Sequence, residues 1–137
     1  MGQKLLIVED NLAVRELLAL ALSEAGFYVI TAEDGYAGLD QAVTERPDLI
    51  LTDIEMPNLD GIQMIQRLRL QPECQRIPVL VMSAVHAGVL RQAVSAGANV
   101  ALQKPVQLMS LIRLVKQILG TAPAIISGLS IFLLNIS

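Results

Sequence analysis

Short apolar runs recur along the chain. Leu5–Val8, Leu49–Leu51 and Val79–Met82 contain no polar residue, as fits strands buried on both faces of a parallel sheet. Tyr28–Thr31 and Asn99–Leu102 are weaker candidates of the same kind. Between these runs the hydrophobic period becomes helical. Asn11 can cap a helix whose inner stripe is Val14, Leu17, Leu18 and Leu22, and Gly26 is placed to end it. A second helix covers Gly35–Thr44 and closes before Pro47. Asp60 can cap a third, with Ile62, Ile65 and Leu68 inward. Ala87–Ala96 forms a fourth, ended near Gly97. The fifth, about Gln107–Leu119, carries Leu108, Leu111, Ile112, Val115 and Leu119 on one stripe. Strict strand–helix alternation predicts an α/β fold: a doubly wound, five-stranded parallel sheet in three α/β/α layers.

In such a fold, ligands bind beyond the carboxyl ends of the strands. The chain's chemistry collects there. Glu9 and Asp10 follow the first strand, Asp53 ends the third, Ser83 ends the fourth and Lys104 follows the fifth. Carboxylates crowded at one sheet edge resist joint ionisation unless a cation sits among them. Hard oxygen ligands suit Mg²⁺, which takes a few carboxylates and keeps several waters. Taken singly, each residue has an ordinary reading. Glu9–Asp10 could be a solvated turn, Asp53 a loop cap, Ser83 a small turn residue and Lys104 a surface lysine. Their joint placement on one rim points to a site. His86, the single histidine, and Cys74, the single cysteine, read as a loop residue and a loop thiol.

Composition narrows the class. The 137 residues are 53% hydrophobic and 17% charged, which suits one globular domain. A net charge of −3 and a pI of about 5.0 leave no basic footprint for nucleic acid. One cysteine excludes an internal disulfide and fits a reducing, cytoplasmic setting. The apolar stretch in MGQKLLIVED is too short for a signal peptide, and Leu6 breaks the myristoylation pattern that Gly2 begins.

Four motifs carry a resemblance: VED at 8–10, LILTDIEMPNLDG at 49–61, VMSA at 81–84 and GANVALQKP at 97–105. With them, residues 3–119 resemble a receiver domain of bacterial two-component response regulators. The resemblance implies the flavodoxin-like strand order 2-1-3-4-5. It implies Asp53 as the aspartate phosphorylated by a sensor histidine kinase or a histidine phosphotransfer protein, in a Mg²⁺-dependent reaction. Asp10 and Asp53 would bind the metal directly, Glu9 directly or through water, and Glu55 through its backbone carbonyl. Lys104 and Ser83 would contact the phosphoryl group. Pro105 follows Lys104 across a bond often cis in the family. Glu55 and Val85 occupy places that modulate phosphate loss.

The chain departs from the family at one switch position. Three residues before Lys104, where Tyr or Phe is common, stands Ala101. Either another residue reports phosphorylation or the coupling is weak. Beyond Gly120 runs TAPAIISGLSIFLLNIS, without a charged side chain and too short to span a bilayer comfortably. This 120–137 tail reads as packing on the domain or on a dimer partner, ahead of a loose end or membrane contact. The leading expectation is a single-domain phosphoacceptor, not an enzyme acting on other substrates. It would signal to a downstream protein effector, without direct nucleic-acid contact. A homodimer would form through the tail or through the face of helix 4, strand 5 and helix 5. The alternatives are a degenerate receiver serving as a scaffold, and a Mg²⁺-dependent aspartyl-phosphate phosphatase. Against the phosphatase, position 55 is Glu rather than a second Asp.

Overall fold

A computed structural model describes residues 2–120 and the backbone of Leu133–Leu134. Strands β1 (Lys4–Val8), β2 (Tyr28–Ala32), β3 (Leu49–Thr52), β4 (Val79–Ser83) and β5 (Val100–Gln103) alternate with helices α1 (Leu12–Glu24), α2 (Gly35–Glu45), α3 (Gly61–Leu68), α4 (Ala87–Ala96) and α5 (Leu108–Ile118). All strand pairs are parallel, in the order 2-1-3-4-5. A two-residue strand, β6 (Leu133–Leu134), extends the sheet, with Leu133 opposite Ala101 and Leu134 opposite Leu102. With Gly120, these two residues are the parts of the tail among the described residues.

The sheet divides the core in two. Leu6, Val8, Ile50, Val79 and Val81 face one layer with Met64, Ile65, Leu68 and Leu90. Leu5, Ile7, Leu49, Leu51 and Leu80 face the other with Leu18, Leu22, Leu111 and Val115. Alternation along each strand thus supplies both layers. Expected caps are in place. Asn11 accepts from the Val14 N–H, and Asp60 makes a capping box with Gln63. Gly26 has φ 104°, the left-handed turn that lets the chain leave α1 for β2.

Two expectations need correction. Leu17, assigned to the inner stripe of α1, is 53% exposed; the buried stripe is Leu18 and Leu22. Cys74, read as a loop thiol, is part of the core instead. It lies in a 3-10 turn, Pro72–Cys74, and is fully buried. His86 is the N-cap of α4, its Nδ1 accepting the Gly88 N–H at 3.1 Å.

Candidate phosphoryl-transfer site

Pairing in register delivers the candidate residues to one rim. Val8 pairs with Thr52 and Thr52 with Val81, so the chain leaves β1, β3 and β4 at the same end of the sheet. Glu9 and Asp53 are the next residues along. The Asp53 N–H donates to the Val8 carbonyl at 3.2 Å, which ties the two acidic turns together. Gly61 lets the third turn fold back closely. Its N–H donates to the Ile54 carbonyl at 2.8 Å, and a Cβ there would strike the Asp53 carbonyl.

Lys104 stands between two carboxylates. Its Nζ is 3.1 Å from Asp53 Oδ2 and 3.6 Å from Glu9 Oε1. Asp53 Oδ1 accepts from the N–H groups of Ile54 at 2.6 Å and Glu55 at 3.2 Å. Glu9 Oε2 accepts from the Asn11 N–H at 3.0 Å. Glu9 is buried, whereas Asp10 is exposed. Burial raises the Glu9 pKa above the ordinary carboxylate range, outweighing the Asn11 N–H and the Lys104 charge; Asp53 and Asp10 add to the rise. For Lys104, burial opposes the ammonium, but the Asp53 and Glu9 carboxylates overcome it and hold the pKa above normal.

Ser83 differs from the rest. It is fully buried, and its Oγ has no hydrogen-bond partner. Its carbonyl accepts the Lys104 N–H at 2.9 Å, so the hydroxyl and the amine sit on directly linked backbone. The Lys104–Pro105 peptide is cis. Glu55 is exposed beside Asp53, and Ala101 is buried in β5.

Among the described residues, no three acidic, histidine or cysteine side chains converge into a ready metal cage. The donor chemistry still fits Mg²⁺. Glu9 and Asp53 already share one cation, with the Asp10 carboxyl close enough to Glu9 to raise its pKa. Mg²⁺ needs only one or two protein carboxylates beside its waters.

Three supporting residues escaped the sequence reading. Arg15 Nη1 donates to the Glu9 carbonyl at 2.7 Å and reaches the Asp10 carbonyl at 3.4 Å, bracing the acidic turn. Thr52 Oγ1 donates to the Asp53 carbonyl at 2.8 Å. Gln103 Nε2 donates to the Val85 carbonyl at 3.1 Å. Thr52 and Gln103 lie inside the quoted motifs, each one place before a site residue, and that position was their only hint. Arg15 looks like any helix-surface arginine.

A parallel 2-1-3-4-5 sheet with acids, a hydroxyl and a lysine on its carboxyl rim defines a receiver-type fold. Residues 5–116 match the family described as response regulator receiver domain, and the chain belongs to that family. Response regulator MprA of Mycobacterium bovis is 37% identical over 120 residues, 87% of this chain and 51% of the relative. PhoP of Bacillus subtilis, an alkaline phosphatase synthesis transcriptional regulatory protein, is 42% identical over 84 residues, 61% of this chain and 34% of the relative. The chain thus spans about half the length, or less, of these curated relatives.

Solved structures agree on the fold. Chemotaxis protein CheY4 of Vibrio cholerae superposes with a TM-score of 0.81 at 27% identity, covering 86% of this chain and 99% of that one. The receiver domain of sensor histidine kinase PA1611 from Pseudomonas aeruginosa gives 0.82 at 30% identity, covering 88% and 99%; that structure has magnesium coordinated in its active-site cleft. The chain therefore carries a receiver domain of two-component signalling, and receiver domains of this family are signalling modules. None of its described helices is long and apolar enough to cross a membrane.

Proposed function

We propose that this chain accepts a phosphoryl group on Asp53 from a phosphohistidine donor protein and passes the signal on by protein contact. The observation that carries the reading is the placement of Lys104 Nζ 3.1 Å from Asp53 Oδ2, with the unpartnered Ser83 hydroxyl on the adjoining strand. Asp53 Oδ2 acts as the nucleophile. Oδ1 is held by two N–H groups, so the carboxylate cannot rotate freely. Lys104 neutralises one side of the incoming phosphoryl group, and Ser83 donates a hydrogen bond to one of its oxygens. Glu9 and Asp10, with Asp53 and the Glu55 carbonyl, would hold Mg²⁺. The metal, when bound, would supply further positive charge to the phosphoryl group. Phosphoryl transfer depends mainly on such alignment and charge neutralisation.

The donor needs a place to dock. An apolar cavity of about 480 Å³ opens beside Lys104, between α1 and the turn into α5. Its walls include Val14, Leu17, Leu18, Pro105, Val106 and Leu108. The exposure of Leu17, unexpected for a core stripe, makes sense as part of this surface. An amphipathic helix bearing the phosphohistidine fits an apolar groove next to a charged rim. Residues 3–119 form the acceptor unit in this reading.

The test is incubation with acetyl phosphate and Mg²⁺, followed by intact mass. A phosphate-sized gain in the wild type, absent in Asp53→Asn, is the expected result. No gain with that donor or with a panel of kinases sinks the reading and favours a scaffold. Turnover of small phosphate esters favours a phosphatase.

A further inference from the structure

Resting on that reading, we propose that Gln103 is the positioning residue that couples the Ser83 loop to β5, in a chain whose Ala101 offers no ring for the task. Between β4 and α4 the chain passes through Ala84, Val85 and His86. Ser83 itself is anchored by the sheet, its carbonyl bonded to the Lys104 N–H. Past it, one described hydrogen bond joins this loop to β5: Gln103 Nε2 to the Val85 carbonyl, at 3.1 Å. Ser83 and Gln103 are direct partners in the β4–β5 register, and Gln103 immediately precedes Lys104. The side-chain bond therefore spans the loop that follows the hydroxyl and the strand that delivers the amine.

Two further observations make this bond a point of control. The Ser83 hydroxyl is buried without a partner, so the resting arrangement leaves it unsatisfied. A phosphoryl oxygen on Asp53 offers it an acceptor, and a shift of Ser83 toward that oxygen carries Val85 with it. Val85 is half-buried against the α3–α4 core layer, so moving it disturbs the packing of α4. Meanwhile Ala101 is fully buried and ends at a methyl group. Gln103 is the β5 side chain bonded to the loop, and it holds the resting state. Losing one hydrogen bond of this kind shifts a two-state balance by roughly 5-fold.

Gln103→Met keeps the length and removes the donor. It is compared with wild type in the full chain by amide NMR, before and after acetyl phosphate with Mg²⁺, and by intact mass. The expected result has three parts. Both proteins gain the phosphate. The resting Met variant shows the amides of 84–90 displaced toward their phosphorylated positions. Its remaining shift change at 100–104 on phosphorylation is reduced severalfold. Resting 84–90 amides identical to wild type, with an undiminished response at 100–104, overturn the proposal while leaving the phosphoacceptor reading intact. Absence of any mass gain in both proteins overturns that reading and the coupling role together. A merely structural glutamine would alter melting temperature without moving the loop signals along the line between the two states.

Discussion

The acidic side of the rim and its hydroxyl side are finished to different degrees. At the ends of β1 and β3, each carboxylate oxygen of Glu9 and Asp53 has a partner, whether an N–H group or the Lys104 ammonium. At the end of β4, the Ser83 hydroxyl is fully buried and has none. The difference follows from cost. A buried unpaired charge costs several kcal/mol and must be compensated in the resting fold. A buried unpaired hydroxyl costs about 1–3 kcal/mol, which a domain can tolerate. In the proposed reaction the charged half is thus set before any phosphate arrives, and the neutral half is left able to respond.

The largest expected effect comes from breaking the finished half. Asp53→Asn removes the proposed nucleophile and is expected to abolish the phosphate-sized mass gain. Lys104→Met comes next. It should slow that gain roughly 10²-fold, the scale of losing one preorganised donor facing developing charge. It should also lower the melting temperature, because Glu9 and Asp53 lose their shared cation. The lysine side chain is 27% exposed, so solvent will soften that stability loss. A variant as active as wild type would mean that the 3.1 Å pair is only structural.

The two halves also differ in how far they could be read from sequence. The acids, Ser83 and Lys104 were legible because each directly ends or follows an apolar run, and strand alternation carries such residues to one rim. Helix boundaries were legible through Asn11, Asp60, Gly26 and Gly97, whose side chains or φ values act locally. What failed depends on distant packing. Leu17 fits the helical period, but α1 buries a narrower stripe beside an open cavity. Cys74 is drawn inside by a short turn closed by Arg69. That guanidinium donates to the carbonyls of Cys74, Gln75, Ile77 and Gly97 and to the Asn99 side chain. Burial lowers the Arg69 pKa. No local pattern announces contacts spanning 28 or 30 residues. Likewise β6 depends on where the chain returns after α5, which hydropathy does not encode.

Ser83→Ala sharpens the contrast from the other side. Because the hydroxyl is buried and unpaired, its removal is expected to stabilise the resting domain by ~1 kcal/mol. It should slow, without abolishing, the mass gain on Asp53, while weakening the phosphorylation-dependent amide shifts of α4 and β5. A stabilised variant that loses its response would show that the unpaired hydroxyl serves signalling. A destabilised variant would mean that the hydroxyl already has a resting partner.

The smallest effect concerns Glu9, a buried acid whose compensation is incomplete. Its folded pKa is raised, with burial outweighing the favourable contacts. A carboxyl shifted upward contributes stability that is fully present below its unfolded pKa and is lost as pH rises through the folded value. Glu9→Gln should therefore match wild type in acid and become more stable by a few degrees in Tm as pH climbs past that raised value. Some of the gain is offset because Lys104 loses the weaker of its two partners, at 3.6 Å. Added Mg²⁺ should reverse the order at neutral pH, because a cation bound by the ionised carboxylate stabilises wild type more than the amide. Thermal melts of both proteins across pH 4–8, with and without Mg²⁺, decide the matter. If Mg²⁺ raises both melting temperatures equally, Glu9 is not a metal-holding residue, and its burial serves only to position Lys104 against Asp53.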